Sequence, residues 1–237
     1  MDHRLRLEDR TSDFYKILFP SWRRISFKPD TGYSTNNVIK RDLIIYGDQG
    51  TGKTLTSIRI VEEACKLYGS DKVNAVDCSG KKGIYVFEYG LTDQPVQILV
   101  FDDYTLVDVP KEKIRDFFRA RNIWFKKKGV TNGLMIKIFC THRFHGLLPE
   151  FRTNLDLLVV KSYPVNPYDR SVMKKFIGEE GMEDLITIEK GRSLNPYWNS
   201  LAVFTSKFLT GIVTLPIASV NYLKDLEIPP LLKILIS

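Results

Sequence analysis

Apolar residues in this chain come in short dense runs separated by longer, mixed stretches. "DLIIY" (Asp42 to Tyr46), "VNAVDC" (Val73 to Cys78), "VQILVF" (Val96 to Phe101), "LMIKIFC" (Leu134 to Cys140) and "LDLLVV" (Leu155 to Val160) are such runs. Their length and β-favouring composition, with turn residues around them, predict buried strands. The stretches between carry helical spacing. "KTLTSIRIVEEACKLYG" places Leu55, Ile58, Ile60, Val61, Ala64, Cys65 and Leu67 near one face and closes at Gly69. "PKEKIRDFFRARNIWFKKKG" reads as a single helix, with Pro110 in its first turn, Gly129 as its stop, and a stripe of Ile114, Phe117, Phe118, Trp124 and Phe125. "SVMKKFIGEEG" predicts another helix. Strands alternating with helices predict an α/β fold with a mostly parallel sheet covered on both faces. "LAVFTSK" and "GIVTLP" predict a hairpin around Leu209-Thr210-Gly211. Residues 1–40 read as an irregular lead-in, with turns at Pro20, Pro29-Asp30 and Thr31-Gly32. The expected division is a lead-in over 1–40, a main domain over 41–195, and a small C-terminal appendage of hairpin and tail over 196–237.

Composition supports that division. A chain of 237 residues, 43% hydrophobic and 27% charged, suits one large soluble domain with a small addition. Cys65, Cys78 and Cys140 are scattered, which argues against a disulfide framework or a structural zinc site and for reduced thiols in the cytoplasm. The start "MDHRLRLEDR" is too charged for a signal peptide. Leu201 to Val220 is apolar enough to raise the question of a membrane span. Lys207, Pro216 and frequent β-branched residues favour the hairpin instead, so no span is expected.

One turn between elements carries chemistry. "GDQGTGKT", Gly47 to Thr54, fits G-x-x-x-x-G-K-[ST] with a strand before it and a helix after it. Glycines let the backbone wrap so that several N–H groups face phosphate oxygens, and the helix N-terminus adds partial positive charge. The phosphate cradle is Gly47, Asp48, Gln49, Gly50, Thr51, Gly52, Lys53, Thr54 and Leu55. Lys53 reaches the β- and γ-phosphates of ATP, and the Thr54 hydroxyl ligates Mg²⁺. Such a loop needs an acid at the end of a neighbouring strand, and "VQILVFDDY" supplies Asp102 and Asp103. Asp102 is assigned to the Mg²⁺ shell and Asp103 to orienting the attacking water. Thr141 and His142 end the strand "LMIKIFC", where ligand sites of open α/β sheets collect, and either can contact the γ-phosphate. The fold expected is therefore a P-loop NTPase, and the reaction ATP hydrolysis.

The layout "VFDD", a basic helix, then "IFCTHRFHGLLPEFRTNLDLLVVK" resembles the HerA/FtsK-type P-loop ATPases. That group includes poxvirus-type genome-packaging ATPases, Zot-type phage assembly proteins and ATPases of archaeal viruses and plasmids. The resemblance covers about residues 40 to 165. Its T-Q-R triplet is here Thr141-His142-Arg143, with histidine in place of glutamine. Its L-P-x-x-R-x-N segment is matched by Leu148, Pro149, Arg152 and Asn154. The resemblance implies a ring, hexameric by expectation, in which Arg152 (or Arg119 or Arg121) reaches the neighbouring subunit's nucleotide. It also implies DNA translocation or genome packaging, with a viral structural or assembly protein as a further partner. Two alternatives stay open: a DnaA-like replication ATPase, and a Zot-like assembly or membrane-docking factor that does no direct work on DNA.

Charge bears on the DNA partner. The chain's net charge is +7. Lys111, Lys113, Arg115, Arg119, Arg121, Lys126, Lys127 and Lys128 face only Glu112 and Asp116 within their own segment, so most of the excess sits there. A basic stripe of that kind can follow a phosphate backbone. It can equally be a solvated face, since cations at a helix C-terminus are favoured by the dipole.

Overall fold

The computed structural model describes residues 5–6, 12–26, 37–79, 83–102, 110–145, 154–191, 199–205 and 209–215. Its centre is one eight-stranded sheet. In chain order the strands are β1 (Leu5–Arg6), β2 (Ile39–Tyr46), β3 (Val73–Asp77), β4 (Val96–Phe101), β5 (Leu134–Thr141), β6 (Leu157–Val160), β7 (Asn199–Phe204) and β8 (Leu209–Thr214). Their order across the sheet is β1-β8-β7-β6-β2-β5-β4-β3. The five strands from β6 to β3 are mutually parallel, and β7 and β8 add antiparallel on the β6 side.

Every parallel strand is buried on both faces, which is why each reads as a continuous apolar run. Alternate residues feed two separate cores. Ile44, Tyr46, Leu99, Phe101, Met135, Phe139 and Leu158 join one, beneath the helices α4 (Gly83–Val86), α5 (Lys111–Phe118), α6 (Ala120–Lys128) and α7 (Pro167–Gly191). Leu43, Ile45, Ile98, Ile136, Ile138 and Cys140 join the other, beneath α1 (Ser12–Leu18), α2 (Trp22–Ser26) and α3 (Lys53–Tyr68).

Four expectations need correction. The lead-in is not irregular throughout: α1 and α2 bury Phe14, Leu18 and Ile25 against α3 and the sheet. The Tyr68 hydroxyl of α3 donates to Pro20 O at 2.6 Å, and Asn132 Nδ2 donates to Ile25 O at 3.1 Å, so the lead-in is tied down at both helices. The basic segment is two helices, not one. Arg119 between them has φ −90° and ψ 6°, and it caps both. The break separates two fixed anchors: Phe117, packed on Phe101 and Phe139, and Trp124, whose Nε1 donates to Thr92 O at 2.7 Å. The expected late helix extends over Pro167–Gly191 and is interrupted at Gly178, where φ is +77°. Finally, Leu209 to Gly211 lie within β8 and not in a turn. The expected stops at Gly69 and Gly129 are observed, and all three cysteines are free. Among the described residues no helix is long and apolar enough to cross a membrane.

One buried charge pair pins the central register. Asp42 and Lys137 face each other across β2 and β5, with Lys137 Nζ 3.1 Å from Asp42 Oδ1 and 4.0 Å from the centre of the Phe117 ring. Burial holds the Lys137 pKa below its usual range, and Asp42 pulls it back up. Asp42→Ala strands that ammonium and is expected to cost about 3–5 kcal/mol, whereas replacing the whole pair, Asp42→Leu with Lys137→Met, is expected to stay within about 1 kcal/mol or stabilise. Urea unfolding of both variants at neutral pH checks this, and equal losses would refute it.

Candidate functional site

The segment after β2 turns sharply because it must pass from a strand into a helix within six residues, Gly47 to Gly52. Gly50 and Gly52 adopt φ of +76° and +77°, a region that other residues rarely enter. A Cβ on Gly47 would lie 2.6 Å from Thr51 Oγ1 and 3.1 Å from Lys161 Cβ, so only glycine fits there. The loop is closed by its own groups: Thr51 Oγ1 donates to Asp48 O at 2.8 Å. Gly52 serves as N-cap of α3 and offers no side-chain bond, which leaves the first turn of the helix open to an anion.

Lys53 folds back over this loop. Its Nζ donates to Gly47 O at 2.9 Å and Asp48 O at 2.8 Å. Thr54, the next residue, donates its hydroxyl to Asp102 Oδ2. Asp102 follows β4, and β5 lies between β4 and β2, so the sheet order sets loop and carboxylate one strand apart. From the end of the intervening β5, His142 is exposed toward the same opening. Asp48, Gln49, Gly50, Lys53, Thr54, Asp102 and His142 line a cleft of about 420 Å³. Leu55 is half-buried in the first turn of α3.

Thr141 is placed differently from His142. It is buried, and its hydroxyl accepts the Arg143 N–H at 3.1 Å and donates to Arg143 O at 3.3 Å. It shapes the turn that presents His142. Asp103 and Arg152, together with Leu148 and Pro149, lie outside the described residues, as does the side chain of Lys111.

Several residues around the cleft escaped the sequence reading. Ser79, after β3, donates to Asp77 and accepts the Asp102 N–H at 3.1 Å, which fixes the backbone at the acid. Ser162, after β6, accepts the Asp48 N–H at 2.9 Å. Asp169, buried in the first turn of α7, accepts His145 Nδ1 at 2.7 Å and hydrogen-bonds the hydroxyl of Tyr46, whose pKa is raised by burial first and by that carboxylate second. Ser79 and Ser162 share one signal, a polar residue two positions past the end of an apolar strand; Asp169, in a helix, has none. Cys140 lies beneath the site, and burial, then Asp102, push its thiol well above the usual range.

The donor set at the cleft's end is a hydroxyl and a carboxylate, both hard oxygens, as Mg²⁺ prefers. Among the described residues no group of three or more His, Cys, Asp or Glu could hold a metal. Thr54 and Asp102 are the described residues that would hold such an ion.

The basic residues spread over α5 and α6. Arg115, Arg119, Lys126, Lys127 and Lys128 are exposed, while Lys113 and Arg121 are half-buried. Two are engaged by acids: Lys113 Nζ lies 3.7 Å from Asp116 Oδ2, and Lys127 pairs with Glu88.

No protein-family model matches the chain, and no curated protein matches it. Solved structures do. The genome-packaging NTPase of Sulfolobus turreted icosahedral virus 2, in complex with ATP-gammaS, aligns with a TM-score of 0.55 at 13% identity, covering 76% of this chain and 98% of that one. The sulfate complex of the same protein gives 0.56 over the same coverage. The DNA-packaging ATPase of Sulfolobus turreted icosahedral virus gives 0.51 at 14% identity, covering 74% and 98%. At such identity the likeness is one of fold, and the fold is that of the P-loop NTPases.

Proposed function

We propose that this chain is an ATPase of the HerA/FtsK type that uses Mg²⁺ and moves or packages DNA. One observation carries the chemistry: the Thr54 hydroxyl meets the Asp102 carboxylate at the end of the glycine-rich loop, within reach of the same cleft as Lys53 and His142. Loop amides, the α3 N-terminus and Lys53 hold the phosphates. Thr54 and Asp102 hold Mg²⁺, which when bound neutralises charge on the β- and γ-phosphate oxygens. His142 contacts the γ-phosphate. Asp103 is assigned to the attacking water and Arg152 to a neighbouring subunit's nucleotide, both from their sequence positions alone. Hydrolysis then breaks the bond between the β- and γ-phosphoryl groups by in-line attack of water.

The DNA assignment is supported by the fold shared with two viral packaging enzymes and by the exposed cations of α5 and α6. Phosphate contacts make such binding steeply salt-dependent. Steady-state ATP hydrolysis is therefore expected to rise several-fold with non-specific double-stranded DNA at low salt, and the stimulation to fade at moderate salt. Charge reversal of Lys126 and Lys128 to glutamate should remove the stimulation and spare the basal rate. Hydrolysis indifferent to DNA at both salt concentrations would instead favour an assembly factor that does no work on DNA.

A further inference from the structure

The end of β6 carries two polar residues where a buried strand needs neither. Lys161 and Ser162 are only 2% and 1% exposed. Burying an ammonium is costly unless its protons are hydrogen-bonded. Lys161 Nζ donates to Thr56 Oγ1 at 2.9 Å and to Ser200 Oγ at 3.3 Å. The Thr56 hydroxyl in turn donates to Gly52 O at 2.9 Å, immediately before Lys53. Ser200 sits in β7 and is fully buried.

The neighbouring backbone completes the arrangement. Lys161 N–H donates to Tyr46 O at 2.8 Å, and Ser162 Oγ accepts the Asp48 N–H at 2.9 Å. Both ends of the phosphate loop, Asp48 at its entry and Gly52 at its exit, are thus tied to two consecutive residues of one segment. The same lysine reaches across to the C-terminal hairpin. A loop with two left-handed glycines has little shape of its own, so its geometry is set by what holds its ends.

We propose that Lys161 is a positioning residue that locks the phosphate loop to the hairpin, so that the seating of β7 on β6 controls affinity for the nucleoside triphosphate. The inference rests on reading the loop as an ATP site. Lys161 does not line the cleft; it acts through Thr56 and Gly52.

The test is ATP binding in Mg²⁺ by titration calorimetry on the full chain, with thermal unfolding measured beside it. Lys161→Met is expected to weaken binding about tenfold, the effect of losing a charged hydrogen bond, while its melting temperature holds or rises because apolar bulk replaces a buried charge. Ser200→Ala is expected to weaken binding about threefold. The double variant should bind no more weakly than Lys161→Met alone, since both act through one chain of contacts. A merely structural lysine would lower the melting temperature and leave the affinity of the folded protein unchanged, and that result overturns the proposal. If Lys161→Met does not fold, wild-type affinity in Ser200→Ala overturns it instead. Failure of the unmodified chain to bind ATP, where Lys53→Ala also fails, refutes the ATP-site reading itself.

Discussion

Lys53→Ala is expected to lower kcat/KM for ATP hydrolysis by at least about 10³-fold. The reason is local. Lys53 supplies a flexible cation within the cleft, and its Nζ already lies against the loop carbonyls of Gly47 and Asp48 at 2.9 and 2.8 Å. Charge that develops on the transferring phosphoryl group has no other lysine or arginine among the described residues lining that cleft. The fold should survive, because those bonds join a partly exposed side chain to a surface loop. Melting should move by no more than a few degrees. A variant that melts normally yet hydrolyses ATP within tenfold of the parent would place the chemistry elsewhere.

The second large effect is expected at Asp102. An asparagine there keeps an oxygen that can accept the Thr54 hydroxyl, and keeps the backbone N–H that Ser79 holds. What it loses is the negative charge. Asp102→Asn should therefore reduce kcat by roughly 10²–10³-fold and move activation by Mg²⁺ to concentrations about tenfold higher or more. Thr54→Ala should shift the Mg²⁺ requirement in the same direction. A rate measured across a Mg²⁺ titration separates a weakened metal site from a damaged fold, since a damaged fold is not rescued by more metal. Unchanged Mg²⁺ dependence in both variants would remove these residues from the metal's shell.

The parts of this molecule legible from sequence were those where one local rule decides. β4 was located to the residue because "VQILVF" is buried on both faces and bounded by a turn. The phosphate loop was legible because glycine, lysine and threonine at that spacing serve one geometry. α1 and α2 were not legible. Each is short, and their apolar residues Phe14, Leu18 and Ile25 make sense only against α3 and the sheet. The single helix expected over 111–128 failed at Arg119, an ordinary helix former, because Phe117 and Trp124 are each fixed by tertiary contacts. Leu67 was counted on the buried face of α3 but is 57% exposed; the packed face runs through Thr56, Ile60, Ala64 and Tyr68. The braces around the cleft were hidden for a related reason. Ser79, Lys161, Ser162 and Asp169 acquire meaning from which strands end side by side, and sequence order does not state that. Thr141 and His142 were equivalent in sequence; only the turn at Arg143 separates the buried hydroxyl from the exposed ring.

The bond from Asp48 to Ser162 joins residues 114 positions apart. That separation has a consequence during synthesis. A ribosome adding about 5–20 residues per second needs roughly 6–23 s to pass from one to the other. Through that interval the strand that leads into the phosphate loop has neither β5 nor β6 for most of the time, because both neighbours are encoded later. The nascent chain thus displays a complete glycine-lysine-threonine signature long before it holds a site able to grip a nucleotide. Long-range parallel pairing also makes this the slow part of folding. Competence to bind ATP should appear late, and all at once, when β6 docks against β2.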